Sequence, residues 1–141
     1  MENTCCASPS QVMLLCCSGG SNVGQLSNQA SVELTQEAVG KMYCLSGIGA
    51  NLSGFVASAK DSPIVVVIDG CEIGCSKKVM ENAGIPLRNY IVVTQLGISK
   101  NHDFNLKRED VQKVKDEVRK ILQGQVTSVS DELPKTVGCC C

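Results

Sequence analysis

The sequence predicts an α/β fold, a three-layer sandwich with a mostly parallel, roughly four-stranded sheet and helices on both faces. Three observations carry this expectation. Short apolar runs alternate along the chain with segments of helical periodicity, the order produced by parallel strands joined by crossover helices. The run Ile64-Val-Val-Val-Ile68 is β-branched at every position, which suits a strand covered on both sides. Two of the runs end in glycine-bearing turns, Ser18-Gly-Gly20 and Asp69-Gly70, that punctuate the chain before the next element.

Val12-Met-Leu-Leu-Cys-Cys17 reads as a buried first strand entering a glycine turn. Leu26, Ala30, Leu34 and Ala38 then recur every four residues, the signature of an amphipathic helix capped by Ser21 or Asn22. Residues 42–45 form a very short second strand or a helix end. Leu52, Phe55, Val56 and Ala59 share one helical face, predicting a helix over 51–59. Pro63 opens the third strand at 64–68. A helical pattern over 72–83 is stopped by Gly84 and Pro86. Tyr90-Ile-Val-Val-Thr94 is a fourth strand. The last helix, 105–123, carries a stripe of Val111, Val114, Val118, Ile121 and Leu122, with Glu109–Lys113 and Asp116–Lys120 as i,i+4 pairs. Its remaining Lys and Arg residues alternate with acids and are expected to form a solvated face.

The chain of 141 residues is long enough for one self-sufficient core. That core is expected at 11–123, between a flexible N-terminal tail, 1–10, and a flexible cysteine-terminated tail, 124–141. A net charge of -1, no tryptophan and four Phe or Tyr residues argue against nucleic acid, which needs a basic footprint and stacking rings. The longest apolar runs are too short to cross a bilayer, so no membrane partner is expected. Residues 1–11 lack the charged and apolar regions of a signal peptide, which points to the cytoplasm. A homodimer or an unidentified protein partner remains compatible with this surface.

Ten cysteines in such a chain call for an explanation other than a secreted disulfide framework: apolar filler, metal ligand or reactive thiol. Cys5, Cys6 and Cys139–Cys141 lie in the tails. Within the patterned region, Cys17 closes the first strand, Cys44 the short second one, and Cys71 follows the third. In open α/β sheets ligands bind beyond the carboxyl ends of the strands, so these three share an edge. If Cys71 opens a helix, Cys75 lies on the same face one turn later, where free amides and the dipole favour thiolates. Four thiolates would suit zinc, with sulfur at about 2.3 Å; cuprous copper or an iron–sulfur cluster takes similar ligands. Cys16, one residue before Cys17, faces the opposite way and reads as core.

Cys17-Ser-Gly-Gly-Ser-Asn-Val-Gly-Gln-Leu-Ser-Asn28, Cys44-Leu-Ser-Gly-Ile-Gly49 and Asp69-Gly-Cys-Glu-Ile-Gly-Cys-Ser-Lys-Lys78 resemble the DGC-domain family. The resemblance runs from about Val12 to Leu122 and includes Leu96-Gly-Ile-Ser-Lys100. It implies a zinc-binding protein whose four ligands are Cys17, Cys44, Cys71 and Cys75. The terminal cysteines fall outside the matching motifs.

Other motifs match in part. Gly19-Gly-Ser-Asn-Val-Gly24 has phosphate-loop spacing, but Gln25 and Leu26 stand where Lys and Ser/Thr are required. Val23 stands where a cysteine phosphatase needs arginine. Cys71 and Cys75 are separated by three residues rather than the two of thioredoxin-like motifs. Asp69 is a strand-end turn residue or an acceptor behind a ligand, and His102 follows the fourth strand toward the same edge. The expected function is therefore metal binding for handling or sensing, with no catalytic residue assigned. The alternative is a thiol redox or sulfur-transfer enzyme that uses Cys71 and Cys75.

Overall fold

The computed structural model describes residues 11–129. Four strands, β1 (Val12–Cys16), β2 (Lys41–Met42), β3 (Ile64–Asp69) and β4 (Asn89–Val92), form one sheet in the order β2-β1-β3-β4. Every pairing is parallel, with Cys16 opposite Ile68 and Asp69 opposite Val92. The helices are α1 (Asn22–Gln36), α2 (Leu45–Gly49), α3 (Ser53–Asp61), α4 (Cys75–Asn82) and α5 (Arg108–Val129), with a 3-10 turn at Val93–Leu96.

The period-two alternation of β1 divides its side chains between two cores. Leu14 and Cys16, with Val66, Ile68 and Ile91, pack against Val23, Leu26, Ala30 and Leu34 of α1 and Val111, Val114 and Val118 of α5. Met13, Leu15 and Val67 face Ile48 of α2, Ala59 of α3 and Met80 of α4. Helices therefore cover both faces, which is why β3 can be apolar throughout. No helix among the described residues is long and apolar enough to cross a membrane.

Several boundaries differ from the sequence expectation. The second strand is Lys41–Met42, and the chain then enters α2, whose five residues are too few to display a period. Its middle residue, Gly47, lies under Phe55: a Cβ there would come within 2.7 Å of the ring. Asn51 takes a left-handed conformation, φ 56°, so the next helix begins only at Ser53. The helix expected from residue 72 begins at Cys75, after Gly74 at φ 71°, and Cys71 lies in the preceding turn, whose Gly74 amide donates to the Cys71 carbonyl at 3.1 Å.

The last helix corrects four expectations, beginning at Arg108 rather than at residue 105. It runs through Gly124 to Val129 rather than ending at 123; residues 130–141, with Cys139–Cys141, and residues 1–10, with Cys5 and Cys6, lie outside the described residues. Among the described residues its in-helix ion pairs are Lys113–Asp110 at 3.6 Å, Arg119–Asp116 at 3.9 Å and Lys120–Glu117 at 4.0 Å, spaced i,i+3 rather than i,i+4. Lys115, expected on a solvated face, is buried against α1, where its ammonium meets Glu33 at 2.9 Å and also Glu37. Because Gly124 is exposed and a Cβ would meet nothing within 4 Å, Gly124→Ala should raise stability by roughly 0.5–1 kcal/mol. Urea unfolding checks this; a lower midpoint would contradict a helix continuing through residue 124.

Candidate metal centre

From β1 the chain moves outward to β2, and from β3 it moves the other way to β4. Loops after β1 and β3 thus diverge over a crevice between the two central strands, where open parallel sheets receive ligands. Cys17 stands at the first lip. Its amide donates to the Ile68 carbonyl at 2.8 Å, so it remains pinned to β3 one residue beyond the strand.

The 17–21 loop is tied down by its own helix. Ser21 caps α1, its hydroxyl accepting from the Gly24 amide at 3.2 Å. Gln25 donates to the carbonyls of Ser18 and Gly19 at 3.2 and 3.0 Å. The Ser27 hydroxyl contacts the carbonyls of Cys17 and, at 2.7 Å, Gly24. The Cys17 thiol folds over Gly19, whose Cβ would lie 3.3 Å from the sulfur. Side chains of α1 thus hold this loop through its carbonyls.

Cys71 and Cys75 flank the turn after β3, and Asp69 organises it. Asp69 is buried, and its Oδ1 accepts from the Ser76 amide at 2.7 Å. Its Oδ2 accepts from the Lys77 amide and the Tyr90 hydroxyl, both at 2.9 Å. The carboxylate thus caps α4 from a preceding strand, taking up amides that would otherwise be unpaired. That cap decides where α4 begins and so puts Cys75 at its first residue. Burial, followed by the Asp69 hydrogen bond and charge, pushes the Tyr90 phenol above its ordinary value, so it stays a donor.

The thiols differ in setting. Cys71 is half-buried, with the Lys100 ammonium 3.5 Å from its sulfur. Burial pushes the Cys75 thiol up, and the charges of Cys17, Asp69 and Cys71 push it further. Cys75 is nonetheless exposed, at the first residue of α4. Cys44 is exposed at the N-cap of α2 and opens on a cavity of about 500 Å³ shared with Cys16, Ser18, Tyr43, Ser46 and Val79. Cys16 is core, as its alternation implied, and burial raises its thiol. His102 is exposed, and among the described residues no hydrogen bond ties it to these cysteines.

Cys17, Cys71 and Cys75 thus lie around one crevice, with Cys44 at the start of the neighbouring helix. Among the described residues, no three His, Cys, Asp or Glu side chains already stand as a group able to hold a metal ion. Three residues of this site escaped sequence reasoning: Asn22, Tyr90 and Lys100. Asn22 and Lys100 each left a signal, as residues of the Cys17–Asn28 and Leu96-Gly-Ile-Ser-Lys100 motifs.

Comparison with known proteins adds two findings. A family model described as DGC domain matches residues 13–118. The anaerobic and virulence modulator AnvM of Pseudomonas aeruginosa is 24% identical over 110 residues, covering 78% of this chain and 84% of that protein. No solved structure matches.

Proposed function

This chain belongs to the DGC-domain family, and from that premise we propose that it binds a metal ion, zinc, through Cys17, Cys44, Cys71 and Cys75, for metal handling or sensing. The observation that carries the reading is the crevice between the adjacent strands β1 and β3, where Cys17 and Cys71 follow the two strand ends and Cys75 opens the helix after the second.

The donor chemistry fits. The four groups are thiols, the ligands that borderline-soft zinc takes in closed sites. A cysteine turns its sulfur by rotation about a single side-chain bond, so backbone placement is the durable part of the arrangement. Asp69 is not a spare ligand, since both its oxygens are engaged by α4 and Tyr90; its role is to orient the turn carrying Cys71 and Cys75. Bound zinc would supply cross-linking of the loops after β1 and β3 and, with four protein ligands, no open position for substrate. Each thiol releases a proton on ligation, so affinity rises with pH.

Protein purified anaerobically should carry about one zinc per chain by elemental analysis. Serine at Cys17, Cys44, Cys71 or Cys75 should each lower that content, whereas Cys16→Ser should leave it. A fully folded wild-type chain without metal affinity would sink the reading. The second reading, a thiol redox or sulfur-transfer enzyme, draws on Cys71 and Cys75 flanking one turn. It requires a specific, reducible disulfide between them, visible by mass spectrometry after rapid thiol trapping.

A further inference from the structure

We infer that Lys100 is the counter-charge of this centre, donating N–H···S to the Cys71 sulfur, and that Asn22 is the residue that positions it. The inference rests on the four-thiolate reading above.

Lys100 is exposed, and a lysine on the surface ordinarily spends its flexible stem in solvent. Here the ammonium lies 3.5 Å from Cys71 Sγ. Among the described residues no carboxylate competes for it as an ion-pair partner, and its hydrogen bond is to the sulfur.

What aims it is the backbone on either side. The Asn22 side chain donates to the Ser99 carbonyl at 2.9 Å and accepts from the Asn101 amide at 2.7 Å. The Asn22 amide donates to the Asn101 carbonyl at 3.0 Å. Three hydrogen bonds therefore straddle Lys100 and fasten it to the first residue of α1, the helix that also holds the Cys17 loop. Asn22 is itself buried, 8% exposed, and its two side-chain bonds are part-buried. Ile98 is buried just ahead of them, anchoring the loop from below.

The chemistry calls for such a group. Zinc with four thiolates carries a net charge of about -2, concentrated on four sulfurs. An ammonium beside one sulfur offsets part of it, and the N–H···S bond makes that sulfur less basic and less nucleophilic. Lys100 would thereby slow proton-driven loss of metal and attack of oxidants at Cys71. Its charge is also removable by acylation, which would loosen the centre without touching a ligand.

The test compares the zinc-loaded full chain with its Lys100→Met, Lys100→Arg and Asn22→Ala variants, using a chromophoric chelator for affinity and release rate. Lys100→Met should lose about 10-fold in zinc affinity and release zinc correspondingly faster. Lys100→Arg should retain most of the wild-type affinity, and Asn22→Ala should shift toward Lys100→Met. With cobalt in place of zinc, the sulfur-to-metal absorption band should move to lower energy in Lys100→Met, while the far-ultraviolet dichroism stays unchanged. Wild-type affinity and an unmoved cobalt band in Lys100→Met would overturn the inference and leave the four-thiolate reading standing. A wild-type chain that takes up neither zinc nor cobalt would overturn both.

Discussion

Gly70→Ala should destabilise the protein by about 3 kcal/mol, at the upper end of what overpacking costs, and Gly70→Val by more. A Cβ at Gly70 would lie 2.7 Å from the Gly24 nitrogen, 2.8 Å from the Val23 carbonyl carbon and 2.9 Å from the Gly24 Cα. These are backbone atoms of the first turn of α1, so no side chain can rotate out of the way. Gly24 is equally confined, since a Cβ on it would lie 2.8 Å from both the nitrogen and the oxygen of Gly19. The turn after β3 and the first turn of α1 therefore meet backbone to backbone, and a side chain at Gly70 pushes them apart. Urea midpoints measure the effect, with Gly20→Ala as control. A Cβ there meets nothing within 4 Å, and the cost should stay within about 0.5 kcal/mol. A wild-type midpoint for Gly70→Ala would show that the two loops are not packed this closely.

Lys115→Ala should cost about 3 kcal/mol, because it removes both a buried charge partner and a packed aliphatic stem. The Lys115 side chain is 3% exposed and lies between Glu33 and Glu37. Arg108 forms a two-pronged pair with Glu33, one arm at 2.8 Å, and Arg119 pairs with Glu37. The carboxylates thus keep a partner when Lys115 is lost, which holds the cost below that of stranding a charge. Lys115→Met keeps the stem and should cost roughly half as much.

The same cluster sets a pH dependence. Arg108, then Gln29 and Lys115, hold the Glu33 carboxyl well below the usual carboxylate range. A carboxyl depressed in the folded state contributes its full stability above the unfolded glutamate value of about 4.3 and loses it as pH falls toward the folded value. Melting temperature should therefore fall as the solution is acidified below that range. The fall should be shallower in Lys115→Ala, where less of the depression remains. Parallel slopes in the two proteins would remove Lys115 from the cluster's electrostatics.

The elements legible in the sequence are those whose cause is local. β1 and β3 are continuous apolar runs, and the stripes of α1 and α5 repeat over three turns or more. α2 was not legible, because five residues cannot display a period and its site depends on Phe55 lying over Gly47. The start of α4 was missed for a different reason: its cap is Asp69, seven residues before the Ser76 amide it receives. Lys115 looked solvated because alternating charges on one helix say nothing about acids on another, 82 residues away. In the candidate centre, Cys17 and Cys71 were placed by strand ends, whereas Asn22, Tyr90 and Lys100 belong to it only through contacts across the fold.

By itself, then, the sequence determined that the strands run parallel between two layers of helices, and that Cys17 and Cys71 sit where strands give way to loops. Tertiary structure decided which of those ends become neighbours. The order β2-β1-β3-β4 brings the first and third strands side by side, Gly24 and Gly70 let the first turn of α1 touch the turn after β3, and Asn22 binds the backbone on either side of Lys100. Periodicity is written within a few turns of chain, but a crevice is made by groups whose distance along the chain is unrelated to their distance in space.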